Sequence, residues 1–396
     1  MKNPPADSHF PRRFAPTALM LGNIVTGCSV LAPAGMLSEL SSGLGVTIRD
    51  AGLLITFGAI MLCIGSTLTA WLTSRIERRT LLAATLAVLA LTNAASAFAP
   101  DYATLLVIRL IMLAVGALYT PQAAGTAALI VPAEKRGSTI AYIFLGWSLA
   151  TAVSLPLITF IASRYGWRAA YGGIALLGCL SFLLLAWRLP RGLVGSPVDL
   201  KTWTDVGRNR TIILLLSITA LQMSGQFVVL TFMGPLLTKL TRAGPDAVGL
   251  VFAIYGVFGF IGIAVATRIV DSWGAYKTSL LFMTVMLTGL TGWAISAGSY
   301  PLMACSVAIW GLGFASTNSM QQVRLVAVAP TLAPASVSLN SSVLYIGQAV
   351  GSATGGVLFA RDMLYGAGYV AVAFLALALI AVTLAKPAGP RRRQHR

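Results

Sequence analysis

Carboxylates are scarce in this chain, and their placement says more than their number. Eleven Asp and Glu are set among 396 residues, and none lies near the middle of the hydrophobic runs that make up most of the sequence. A charged side chain near the centre of a bilayer costs about 2.5–3.5 kcal/mol on insertion scales, so charge is swept to the ends of membrane spans. Histidine is almost missing, with only His9 and His395, both in the tails. The four cysteines, Cys28, Cys63, Cys179 and Cys305, fall in four different runs with no metal-ligand spacing, which makes them small apolar packing residues and argues against a zinc site. No Ser-His-Asp set, phosphate-cradling Gly-Lys-Ser loop or embedded acid pair is present, so neither an enzyme nor a cofactor or metal is expected.

What the chain does have is apolar length. It is 57% hydrophobic and 10% charged, with a mean hydropathy of +0.83, which fits neither a soluble globule nor a disordered tail. A helical crossing needs about 20 mostly apolar residues. Twelve candidates bounded by Pro, Gly or charge run approximately over 16–40, 50–74, 79–99, 102–130, 136–162, 166–188, 211–240, 245–270, 275–297, 301–329, 334–360 and 364–385. That leaves no room for an extramembrane domain. The first run follows basic residues but is too long for a signal-peptide core, so no cleaved leader is expected.

Lys and Arg fix an expected orientation. With both termini cytoplasmic, 20 of the 28 basic residues lie inside and 6 outside, with Arg109 and Arg324 left within spans. The net charge of +17 is spread over many short loops, which argues against nucleic acid as a partner. Anionic lipid headgroups suit the basic loops and the tail Arg391, Arg392 and Arg393.

The chain also repeats itself. A linker over residues 189–210, carrying Pro190 and Pro197, separates residues 1–188 from 211–396, each a block of six spans. Gly65 and Ser74 of the first block match Gly262 and Asp271 of the second, both 197 residues on. Gly146, Ala150 and Ser154 match Gly347, Gly351 and Gly355, each 201 residues on. Four-residue spacing puts each trio on one helix face, where small side chains let backbones approach. Those faces are expected to carry the contact between halves, with packing inside one half as the alternative. Duplicated six-span units suit a transporter whose halves rock about a midplane site.

These residues resemble the major facilitator superfamily, in its twelve-helix drug:proton antiporter branch, closest to the sugar-efflux-permease-like exporters. The stretches that carry the likeness are Val131 to Gly137, Gly166 to Arg168, Thr231 to Pro235, Ala329 and Pro330 with Ser338 to Ser342, and the Gly347 series. The resemblance implies an all-α integral membrane fold of two pseudo-symmetric six-helix bundles, acting as a monomer in a bacterial inner membrane, with a small-molecule substrate and protons as partners. It also implies a cytoplasmic gate at Ser74, Arg75, Arg78, Arg79, Asp271 and Gly274. Two departures stand out: the family's loop between helices 2 and 3 carries an Asp where Ser74 stands and a Gly where Glu77 stands. In helix 5, Gly146 and Pro156 remain, while Ser154 and Ile158 replace glycines.

Helices 1, 4, 7 and 10 line the cavity in that family, with 2, 5, 8 and 11 behind. Polar and aromatic residues near mid-depth there are Asn23, Tyr119, Gln122, Trp147, Gln222, Gln226, Tyr255, Asn318, Gln321 and Gln348. Taken together they suggest a wet, uncharged cavity; taken singly, each amide could be interhelical glue. Arg109 matches the family's helix-4 arginine and is placed in the cavity, with a structural arginine bonded to backbone carbonyls as the alternative. No acid stands in span 1, so Glu39 at its outer end is the candidate proton carrier, expected to approach Arg109 when the outer side closes. With an arginine and no mid-span carboxylate, neutral polar or anionic solutes are expected over organic cations. The leading reading is a proton-coupled exporter; a passive facilitator or uptake carrier of the same fold, and a non-transporting sensor, are the alternatives.

Overall fold

A computed structural model describes residues 14–73, 76–132, 136–194, 205–329 and 332–385. Among them are twelve helices long and apolar enough to cross a membrane: Ala15–Gly35, Ile48–Ser66, Arg78–Ala97, Tyr102–Ala127, Tyr142–Tyr165, Trp167–Arg188, Arg210–Leu230, Pro245–Val270, Ser272–Ile295, Tyr300–Val328, Ser336–Ala360 and Leu364–Leu384, numbered spans 1 to 12. Because each half has six spans, the start of span 1, the end of span 6, the start of span 7 and the end of span 12 share one face of the bundle, called here the linker end. The opposite face is the far end.

Spans 1 and 7 are the most enclosed, 83% and 72% of their core windows being buried, whereas the remaining ten spans are half-buried or less. Leu91, Leu176, Leu180, Leu183 and Leu377 are among the apolar side chains this leaves exposed, as a lipid-facing surface requires. Spans 1 to 6 pack as one bundle and 7 to 12 as another; the halves meet where span 2 lies on span 11 and span 5 on span 8.

Prolines set the breaks. Span 1 stops at Gly35, and a separate helix, Leu37–Leu44, follows a break at Met36 that the sequence reading ran through. Pro33 has no N–H and withdraws one helical bond just ahead of that break. Span 7 ends at Leu230 and a short helix, Met233–Thr241, begins after Phe232, three residues ahead of Pro235. Pro235 sits in that helix's first turn, where a missing N–H costs nothing. Span 5 widens into a π-helical turn over Ala150–Ser154 directly ahead of Pro156. Spans 8 and 9 turn at Gly274, whose φ of 77° an L side chain would strain.

The small-residue faces do not join the halves. A Cβ at Gly146 would lie 2.5 Å from the Met20 carbonyl oxygen and 2.8 Å from the Asn23 Cβ, both on span 1. Ala150 faces Gly27 of the same span. Gly347, Gly351 and Gly355 face Ala220, Ser224 and Val228 on span 7 in the same way. Each trio therefore seats its own half's central helix, the alternative that the spacing left open. Between halves the close approach is Gly256 of span 8, whose added Cβ would lie 2.1 Å from the Ala152 Cα in the π-helical turn.

Candidate functional site

The polar residues of the spans sort into three groups. In the first half the Trp147 indole N–H donates to the Thr120 hydroxyl at 3.1 Å, and that hydroxyl donates to Asn23 Oδ1 at 2.8 Å. The Asn23 amide continues to the Ile143 carbonyl at 3.0 Å. The chain of bonds ties spans 1, 4 and 5, and leaves Thr120 and Trp147 half-buried while Asn23 is fully enclosed.

In the second half Gln222 and Gln226 stand one turn apart on span 7. The Gln222 amide N–H donates to Asn318 Oδ1, while its own carbonyl oxygen is buried with no hydrogen-bond partner among the described residues. Gln226 Oε1 accepts the Trp310 indole N–H at 3.2 Å and the Tyr255 hydroxyl at 3.4 Å; among the described residues its amide nitrogen meets only the Met223 sulfur, at 3.8 Å. Tyr255 packs on Trp310 and Phe314, with ring centroids 5.0 and 5.5 Å apart. A buried acceptor lacking a donor, a donor held only by a weak sulfur acceptor, and an aromatic wall beside them suit an uncharged solute rich in hydroxyls. Thr120, Trp310 and Phe314 were absent from the sequence-based set, although the two aromatics stand mid-run like Tyr255.

The third group is structural. Arg109 is 1% exposed and donates to three backbone carbonyls: Nε to Leu54 at 2.7 Å, Nη1 to Ser29 at 2.9 Å and Nη2 to Val30 at 2.7 Å. The Ser29 carbonyl is the one that Pro33 deprives of its helical donor, so the guanidinium fills a gap in span 1. This corrects its placement in the cavity. Gln122 and Gln321, 199 residues apart, each meet an arginine: Gln122 Oε1 accepts from Arg78 Nη1, and Gln321 Oε1 from Arg324 Nη1 at 3.3 Å. Arg324 is fixed further by the Ala385 carbonyl at 2.8 Å. Tyr119 is fully buried, with its hydroxyl on the Leu19 carbonyl at 3.3 Å, and packs over Gly22 as a helix spacer. Gln348 is buried on span 11.

The far end is closed between the halves. Phe232 of the second half stacks on Phe359 at 5.7 Å and presses on span 2, where a Cβ at Gly52 would lie 2.5 Å from its ring. The Arg164–Asp246 ion pair spans the halves at 3.7 Å. Glu39 lies half-buried on the helix Leu37–Leu44, which packs on Met233–Thr241 of the other half. Desolvation holds its carboxyl above the ordinary range, against a smaller lowering by its own backbone N–H. The expected approach to Arg109 is not seen with this end closed: the ion pairs among the described residues are Arg164–Asp246 and Lys239–Asp362.

At the linker end Ser66 and Ser342 hydroxyls meet across the halves at 2.7 Å. Of the expected gate, Ser74, Arg75 and the side chain of Asp271 lie outside the described residues. Arg79 donates to the Ala186 carbonyl at the end of span 6.

Comparison with known proteins places this geometry. A family model described as Major Facilitator Superfamily matches residues 19–352. The chain is 29% identical over 350 residues to the "Inner membrane transport protein YdhP" of Escherichia coli strain K12, covering 88% of this chain and 89% of that one. It is 25% identical over 350 residues to a "Probable sugar efflux transporter" of Mannheimia succiniciproducens, covering 88% and 87%. Among solved structures, a D-xylose-proton symporter superposes with a TM-score of 0.76 at 16% identity, over 94% of this chain and 98% of that one.

Proposed function

This chain belongs to the Major Facilitator Superfamily, a family of transporters and not of enzymes, and from that premise we propose that it exports a small neutral polyhydroxylated solute, of the sugar class, across a bacterial inner membrane. The observation that carries the reading is the uncharged cluster of Gln222, Gln226, Tyr255, Trp310 and Asn318, with its unmatched amide oxygen and its aromatic wall. Sugar hydroxyls both donate and accept, so one ring can satisfy the Gln222 oxygen and the Gln226 amide together. An organic cation would enter a site with no carboxylate among these residues to offset its desolvation. The names of the two relatives support export from an inner membrane.

In this reading residues 1–188 and 211–396 are the moving units, joined by the linker 189–210, with the linker end cytoplasmic. Protons are the proposed coupling ion, taken up by Glu39 at the far-end seam, where a neutral carboxyl fits a closed, desolvated contact better than a charged one. A passive facilitator is the competing reading, favoured by the commitment of Arg109 to backbone carbonyls; flux indifferent to a pH gradient would select it.

Melting of the purified protein against pentoses, hexoses, nucleosides and quaternary ammonium compounds tests the substrate class. Stabilisation by a neutral sugar, lost in Gln222→Leu, is expected. Stabilisation by a quaternary ammonium compound and by no sugar would overturn it.

A further inference from the structure

Spans 5 and 8 meet across the halves, but not evenly along their length. A Cβ on Gly256 would lie 2.1 Å from the Ala152 Cα, whereas on Gly249, two turns nearer the far end, it would lie 3.9 Å from the Pro156 carbonyl oxygen. The helices therefore diverge from the π-helical turn toward the far-end rim. The gap is a cleft of about 310 Å³, with Pro156 and Phe160 of span 5 on one side and Gly249, Leu250 and Ala253 of span 8 on the other. From Asp246 at its mouth down to Ala253 it descends about 10 Å, at 1.5 Å per helical residue. Phe160 and Leu250 are both exposed, so the cleft opens outward to the lipid and not into the bundle.

The mouth of this apolar cleft carries both signs of charge. The Arg164 guanidinium stands over the Phe160 ring, 4.8 Å from its centroid, and faces the Asp246 carboxylate at 3.7 Å. That separation is wider than the roughly 2.7–2.9 Å of a charge-assisted hydrogen bond, and both side chains are more than half exposed. Neither has a second ion-pair partner among the described residues, and an exposed pair this loose costs little to separate. An apolar cleft open to a bilayer takes up hydrocarbon, and a phospholipid chain that enters it brings its head group to the mouth. A phosphodiester there accepts from the Arg164 fork, and a primary ammonium donates to Asp246, so both charges are matched. A choline head has the same charges but no N–H to donate, and a glycerol head sets an anion beside Asp246 with no cation for it.

We propose that spans 5 and 8 form a binding site for one zwitterionic phospholipid with a primary ammonium head. One acyl chain fills the cleft, the phosphate sits on Arg164 and the ammonium on Asp246. The two walls belong to different halves, so the seated lipid bridges them at the far end. The site rests on the membrane-spanning fold and is independent of which solute is carried.

Photolabelling of the full chain in phosphatidylcholine nanodiscs tests the site, with phosphatidylethanolamine and phosphatidylcholine probes that share one diazirine-bearing acyl chain. The ethanolamine probe is expected to mark the stretches 156–160 and 249–253 about tenfold more than the choline probe, the worth of one charge-assisted hydrogen bond. Asp246→Asn should bring its labelling down to the choline level, and Asp246→Glu should retain it. Ala253→Phe fills the cleft, leaves both charges in place and should abolish labelling of the two stretches by either probe. Leu250→Trp, at an exposed position, should do the same and keeps the test intact if Ala253→Phe melts early. Equal labelling by the two probes, or stronger labelling by a phosphatidylglycerol probe, would overturn the head-group assignment. Labelling that misses both stretches, or that persists in the two cleft-filled variants, would overturn the site.

Discussion

Arg109 reaches from span 4 to the Ser29 carbonyl of span 1, 2.9 Å away, and that carbonyl lacks a helical donor because residue 33 is proline. The pair explains how a cation persists deep in an apolar bundle with no acid beside it. Its charge is spread over three carbonyl dipoles, one of which has no other intrahelical partner.

Arg109→Met should therefore lower the melting temperature, stranding a buried carbonyl at a cost of about 1–3 kcal/mol. Adding Pro33→Ala restores an N–H at position 33 and should recover part of that loss. Thermal melts of the two single variants and the double variant give the coupling; additive losses would show that the proline-freed carbonyl is not what Arg109 serves.

Gln226→Leu removes the shared acceptor of Trp310 and Tyr255, leaving two buried donors unmet, and should destabilise the fold as well as abolish binding. Gln222→Leu loses a single bond to Asn318 and an oxygen that was unmatched. It should weaken sugar binding by roughly tenfold while melting close to the parent. Equal effects of the two substitutions on melting would mean that the Gln222 side chain serves the fold and not the solute.

Gly256→Leu places side-chain atoms where the Ala152 backbone already sits, since even a Cβ would approach it to 2.1 Å. The contact is between backbones, so neither side can yield by rotating a side chain. Transport should stop, and spin-label distances between the halves at the far end should lengthen. An active Gly256→Leu protein would show that spans 5 and 8 need not meet.

Glu39 sets a pH signature. A carboxyl with a raised pKa holds its proton more tightly in the folded protein than in the unfolded one, so its favourable contribution exists at low pH and is lost as pH rises through the folded value. Acidification from neutrality toward 4.5 should therefore stabilise the parent relative to Glu39→Gln. Melting curves of the two that stay parallel across that range would show that the group is solvated and does not titrate at the seam.

The twelve spans and their duplication were legible because both rest on composition and spacing: apolar length, terminal charge and a constant offset between halves. The breaks at Met36 and Phe232 were not, because a proline marks only where a bond is missing, and tertiary packing decides where the helix gives way. The small-residue trios were read as a seam between halves because spacing shows a close-packing face without its partner; the partners are spans 1 and 7. Gln122 and Gln321 show a related limit. An amide in a membrane span reads the same whether it faces a solute or an arginine, and only coordinates reveal Arg78 and Arg324 beside them. Gln222, Gln226, Tyr255 and Asn318 were found by residue type alone and do come together, because burying several amides on neighbouring spans is costly unless they pair.

The central claim is that the chain moves a neutral sugar through an uncharged site. Counterflow in proteoliposomes measures this most directly: vesicles loaded with an unlabelled pentose or hexose should accumulate the labelled form above equilibrium, and vesicles with Gln222→Leu, which melts close to the parent, should accumulate far less. Counterflow of a labelled quaternary ammonium compound, with none for any sugar, would contradict the account.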